Sequence, residues 1–87
     1  MILHTISLEY IKRFPESIQT RKWRKKRVYI FTEGRGFWLP QSAGYTNEKG
    51  KAWALPFETA KAHTISLNPK EIKIEFHLID EPGNRFD

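Results

Sequence analysis

The sequence predicts an α+β fold: a small antiparallel sheet of about four strands, one helix packed across it at about 56–64, and a short amino-terminal helix. Three observations carry that prediction. Ile72, Ile74, Phe76 and Leu78 alternate with Lys73, Glu75, His77 and Ile79, the period of a strand with one face on a core. Val28-Tyr29-Ile30-Phe31 and Phe37-Trp38-Leu39 flank Thr32-Glu33-Gly34-Arg35-Gly36, so two β-rich runs meet at a loop with two glycines, which reads as a hairpin. Pro56 opens a segment in which Phe57, Ala60 and Thr64 share a helical face, and proline is tolerated in a first turn because its missing N–H has no partner there to lose.

In chain order, Met1–Phe14 supports two periods. Ile2, Ile6, Leu8 and Tyr10 alternate as in a strand, whereas Ile6, Tyr10 and Phe14 repeat every four residues as in a helix. A helix from about Ser7 to Phe14 is the preferred reading, after a short strand, with Thr5 or Ser7 as N-cap and Pro15 as the stop. Residues 15–20 read as a polar connector with Ile18 as its apolar anchor. Arg27–Phe31 is the first strong strand and reads as buried. Beyond the hairpin, Pro40 ends the returning strand, and Gln41–Gly44 and Asn47–Gly50 are turns around a short extended piece at Tyr45-Thr46. Ala52–Leu55 is a further short strand. Asn68-Pro69 turns the chain from the helix into the last strand, Glu71–Ile79. Residues 1–80 make a single domain, and 81–87, with Pro82, Gly83 and Asn84, a flexible tail.

At 87 residues the chain buries only roughly 60% of its unfolded surface, so its large apolar side chains matter individually. Three Trp, three Tyr and six Phe supply the core. The absence of cysteine excludes disulfides, thiolate zinc sites and thiol nucleophiles and fits a reducing, cytoplasmic setting. Apolar runs reach four residues, against the roughly 20 that a membrane helix needs, so no membrane association is expected, and the first residues lack a secretory pattern.

The net charge of +5 is unevenly placed. Between Lys12 and Arg35 nine cations stand against two acids, and the rest of the chain carries six against eight. The densest stretch is Arg21-Lys22-Trp23-Arg24-Lys25-Lys26-Arg27, six cations around one indole. Burying unpaired charge at that density costs several kcal/mol or more per group, so the run is predicted to lie on the surface. A region so polarised attracts anions, nucleic acid first and an acidic protein surface next. Each Lys or Arg set against a phosphate releases counterion, and Trp23 would stack on a base or sugar. Lys12, Arg13 and Arg35 are expected to add to this surface. The plainer alternative is a solvated connector whose lysines guard an edge strand against aggregation.

Phe37, Trp38, Tyr45 and Trp53 form a possible aromatic platform, although in a small domain such side chains are more often core, the reading preferred here. Gly34-Arg35-Gly36 is a hairpin tip rather than a phosphate loop, since it lacks the Lys-Ser/Thr ending and joins two strands. His4, His63 and His77 lack ligand spacing, so neither a metal nor any other cofactor is called for. No Ser, His and acid are grouped as nucleophilic catalysis requires, and a non-enzymatic role is expected.

Trp38-Leu39-Pro40, Gly44-Tyr45-Thr46, Ala52-Trp53 and Phe57-Glu58-Thr59-Ala60, followed by an Ile-rich strand, resemble a pattern in small phage and prophage proteins. The resemblance spans Tyr29–Ile74, about half the chain, and leaves the basic run outside it. It implies a phage origin, a host-cell cytoplasmic location and a small α+β fold, and it implies no activity. The expectation is therefore a non-catalytic accessory protein that binds DNA or RNA through residues 21–27. The alternative is a phage inhibitor that docks on an acidic patch of a host protein, as a monomer or as a dimer formed by sheet extension at Val28–Phe31 or Glu71–Ile79.

Overall fold

The computed structural model describes residues 4–79, so the reading of Ile2 and that of the tail at 81–87 lie outside the described residues. Over the described residues the chain is an antiparallel α+β fold with six short strands and three α-helices: β1 (Thr5–Ser7), α1 (Leu8–Arg13), α2 (Ile18–Trp23), β2 (Arg27–Thr32), β3 (Gly36–Trp38), β4 (Tyr45–Thr46), β5 (Leu55–Pro56), α3 (Phe57–Thr64) and β6 (Ile74–Leu78). Single 3₁₀ turns lie at Pro40–Ser42 and Lys49–Lys51.

Helix α1 starts where Ser7 caps it, its hydroxyl accepting from the Tyr10 amide at 3.1 Å, and stops at Phe14, ahead of Pro15. Helix α2 replaces the predicted polar connector. Ser17 is its N-cap, accepting from the Thr20 amide at 3.2 Å, while the Thr20 hydroxyl donates to the Phe14 carbonyl at 3.2 Å. The expected anchor Ile18 is 69% exposed. Thr20 and Trp23, one turn apart, are buried in its place. The predicted strand over Ala52–Leu55 shrinks to Leu55–Pro56, and Pro56 sits before the first turn of α3 rather than inside it.

The sheet order is β1-β6-β2-β3-β4, with β5 beside β2 next to β3. Strand β2 is its centre: Val28–Thr32 pair with Leu78–Ile74 on one side, while Phe31 and Thr32 pair with β3 and Arg27 and Val28 with β5 on the other. Strand β6 is also interior, because β1 pairs along it from Thr5↔His77 to Ser7↔Glu75. Neither strand offered by the sequence as a free edge for dimerisation is one. Among the described residues the edges are β1, β4 and β5, of three, two and two residues, too short to template much further pairing. The β2–β3 hairpin turns through Gly34 and Gly36, both at positive φ. At Gly36 (φ +117°) a Cβ would lie 2.7 Å from the Thr46 carbonyl oxygen, so β4 can approach only a glycine there.

All three helices cover the same face. Ile6, Val28, Ile30, Leu55, Ile74 and Phe76 share it by register and pack with Leu8 and Ile11 of α1, Trp23 of α2, and Phe57 and Ala60 of α3. The alternate residues of β2, Tyr29 and Phe31, point the other way and are half-buried, so the run read as a fully buried strand is covered by helices on one side only.

Candidate nucleic-acid interface

The basic run does not form one uniform ridge. Arg21 and Lys22 stand exposed on the last turn of α2. Arg24 and Lys25 are exposed in the turn that follows, Lys26 is half-buried, and Arg27 is exposed at the first position of β2. Trp23 is the exception. It is fully buried, meets Phe57 edge-on at 5.8 Å between ring centroids, and is therefore a core residue and no stacking platform. The cations flank it because α2 ends there: a helix turn places residue 23 inward and its neighbours outward. The Trp23 Nε1–H is buried without a hydrogen-bond partner among the described residues.

The run's backbone is fixed at several points. The Lys26 amide donates to the Trp23 carbonyl at 2.9 Å, the Lys26 carbonyl accepts from the Phe57 amide at 2.8 Å, and the Arg27 carbonyl accepts from the Ile79 amide at 3.2 Å. The Arg27 guanidinium donates to the Ala54 carbonyl at 3.1 Å, and Lys26 and Arg27 make further contacts besides. Glu58, in the first turn of α3, lies 3.8 Å from Arg24 Nε and 3.3 Å from Lys61 Nζ, so one half-exposed carboxylate is divided between two cations. A pair that long and that exposed is worth a fraction of a kcal/mol at most. Arg21, Lys22 and Lys25 have no ion-pair partner among the described residues.

The remaining predicted residues are not gathered onto this surface. Arg35 sits at the hairpin tip beyond the far end of β2, about 20 Å along the strand from Arg27 at about 3.3 Å per residue. Its guanidinium lies over the Tyr45 ring, 5.7 Å from the centroid. Both border an open groove of about 550 Å³ whose wall mixes Lys70 and Lys73 with Glu33 and Glu71. Lys12 Nζ donates to the Leu67 carbonyl at 2.6 Å, on the side of the α3–β6 connection, and Arg13 is exposed at the end of α1.

The aromatics divide, and the preferred core reading holds for both tryptophans. Trp38 and Trp53 pack against the core; Trp38 Nε1 donates to Thr32 Oγ1 at 2.8 Å, and Trp53 lies against His63. A ring cluster that sequence reasoning missed lies on the sheet face away from the helices. Phe31 and Phe37 approach to 5.0 Å, Tyr29 and Phe37 to 5.8 Å, and His77 lies 5.3 Å from both Phe31 and Phe37. The signal was present as Tyr29 and Phe31 alternating with Val28 and Ile30, but a four-residue apolar run does not disclose that only one face is covered. Among the described residues, no three His, Asp or Glu side chains converge as a metal site requires, and no helix is long and apolar enough to cross a membrane. No protein-family model, curated protein or solved structure matches the chain.

Proposed function

We propose that this chain is a small non-catalytic accessory protein that binds a polyanion, nucleic acid before any other, through the cations of residues 21–27. The observation that carries the reading is the set Arg21, Lys22 and Lys25, exposed and without ion-pair partners among the described residues, beside a weakly paired Arg24. The plainer alternative, lysines guarding an edge strand, loses its footing because β2 is interior to the sheet. Trp23 leaves the proposed site, and Arg35 stands apart from it. By the resemblance to small phage and prophage proteins, the chain acts in the cytoplasm of a bacterial host.

Four available cations set the scale of the test. At a slope of about −0.9 per neutralised phosphate, log K for duplex DNA should fall with log salt at about −3.6, a loss of roughly 150-fold between about 50 and 200 mM. Replacing Arg21, Lys22 and Lys25 together by Gln should reduce the slope by about 2.7, leaving roughly a threefold to fourfold salt effect. Fluorescence anisotropy with a labelled duplex measures both. A wild-type slope near zero would remove the reading. So would a stoichiometric host protein retained from nuclease-treated lysate by a chain that binds no DNA or RNA, which would support the host-protein inhibitor instead.

A further inference from the structure

The face of the sheet turned away from the helices has a chemistry that the basic run does not explain. We infer that it is a stacking surface for unpaired bases, and that the nucleic acid this protein takes is single-stranded; the inference rests on the polyanion reading above. Four of the ten paired positions on this face are rings, Tyr29, Phe31, Phe37 and His77, and none is Leu, Ile or Val. The others are the hydroxyls of Thr5, Ser7 and Thr46, the Arg27–Pro56 pair at one end, and one carboxylate, Glu75, which lies 3.2 Å from His77 Nε2. Purely structural cover would be expected to include Leu, Ile or Val, the residues that fill the opposite face.

The rings touch one another edge-on or tilted, and Tyr29, Phe31 and His77 remain partly open to solvent. Tyr29 and Phe31, two residues apart on one strand, are about 7 Å apart. That is about twice the 3.4 Å spacing of a stacked duplex strand, so successive rings meet successive bases only when the strand is drawn out of helical stacking. Base faces are accessible only in such a strand, and every base presents one, so this mode tolerates sequence.

Charge at the border of the face suits a phosphate backbone. Lys49 Nζ lies over the Phe37 ring at 5.8 Å from its centroid, on the β3 side. Arg27 occupies the position on β2 next in alternation to Tyr29, where the ring face meets the basic run. A strand laid along β2 would pass from the cations of residues 24–27 onto Tyr29 and Phe31, with Glu75 opposite Phe31 on β6 and in contact with His77.

The test uses the full chain with a fluorescein-labelled oligothymidylate and a duplex of equal phosphate number. Wild type should bind the single strand more tightly than the duplex. Phe31→Leu, which keeps an apolar side chain but removes the ring, should weaken the single strand roughly 5- to 100-fold with the salt slope unchanged, and Phe31→Tyr should restore binding. Tyr29→Leu with the same assay replaces Phe31→Leu if that variant fails to fold by circular dichroism. Salt-steep binding of both nucleic acids that neither leucine variant alters would overturn this inference and leave the basic-run reading standing. Binding of neither nucleic acid by wild type would overturn both. Sedimentation showing a nucleic-acid-free dimer that the leucine variants convert to monomer would overturn the inference by assigning the face to a second copy of the chain.

Discussion

Replacing Trp23 separates a core side chain from a recognition side chain, because the two roles predict opposite outcomes. The indole has no exposed surface and packs against Phe57, itself fully buried. Truncation to alanine removes on the order of 200 Å² of buried surface, about 5 kcal/mol at 25 cal/mol/Å² and about 3–5 kcal/mol by analogy with measured Trp and Phe truncations. A domain of 87 residues has on the order of 4–13 kcal/mol to lose, so Trp23→Ala is expected to leave the protein largely or marginally unfolded. Trp23→Phe should behave otherwise. Removing three ring atoms costs on the order of 2 kcal/mol at about 0.8 kcal/mol per buried carbon group. It also removes the buried Nε1–H that has no partner among the described residues, an unsatisfied donor of the kind that costs about 1–3 kcal/mol. The terms oppose each other, and Trp23→Phe should lie within about 1 kcal/mol of wild type. Urea denaturation followed by far-ultraviolet circular dichroism measures both variants. A Trp23→Ala protein with a wild-type midpoint and weakened oligonucleotide binding would refute the burial argument. A Trp23→Phe loss above about 3 kcal/mol would show that the indole N–H makes a stabilising contact.

Three further substitutions probe the hairpin and the indole on the neighbouring strand. Gly36→Ala places a Cβ 2.7 Å from the Thr46 carbonyl oxygen at φ +117°, whereas Gly34→Ala at φ +82° meets nothing within 4 Å; the first should cost at least about 2 kcal/mol and the second about 1 kcal/mol, compared by thermal denaturation. Equal losses would show that the Thr46 contact has no energetic weight. Thr32→Val keeps the shape of a 4%-exposed side chain but strips Trp38 Nε1 of its 2.8 Å acceptor, and should lower stability by about 1–3 kcal/mol in urea denaturation; an unchanged midpoint would mean that the indole is satisfied by water.

The parts of the fold legible in the sequence are those where periodicity and backbone chemistry agree. Strand β6 declares itself by Ile74 and Phe76 alternating with polar residues, the hairpin by glycines at positions that need positive φ, α1 by Ser7 and Pro15, and α3 by Pro56 and the Phe57/Ala60/Thr64 face. Helix α2 was illegible because its buried stripe consists of Thr20 and Trp23. Hydrophobic periodicity does not count the threonine, and the cations on either side disguise the tryptophan as a member of a binding strip. Ser17 three residues before Thr20, and Thr20 three before Trp23, were the signals that mark a capped helix with one inward face. For the candidate site, exposure of the charged residues follows from the cost of burying charge. Which of them keep company does not, since it depends on sheet order: Arg35 is eight residues from Arg27 in sequence yet a strand's length away, while Glu58, far along the chain, comes within 3.8 Å of Arg24.

The hydrogen bonds at Lys26 and Arg27, together with the buried indole that closes α2, have a thermodynamic corollary. A loose basic tail must surrender backbone freedom when it settles on a partner, and that surrender subtracts from its affinity. Here the main chain beneath the charges surrendered its freedom during folding, anchored by Phe57 and Ile79. Contact with an anion then immobilises little beyond the side chains, and the charge pattern is presented in a single arrangement before any partner arrives.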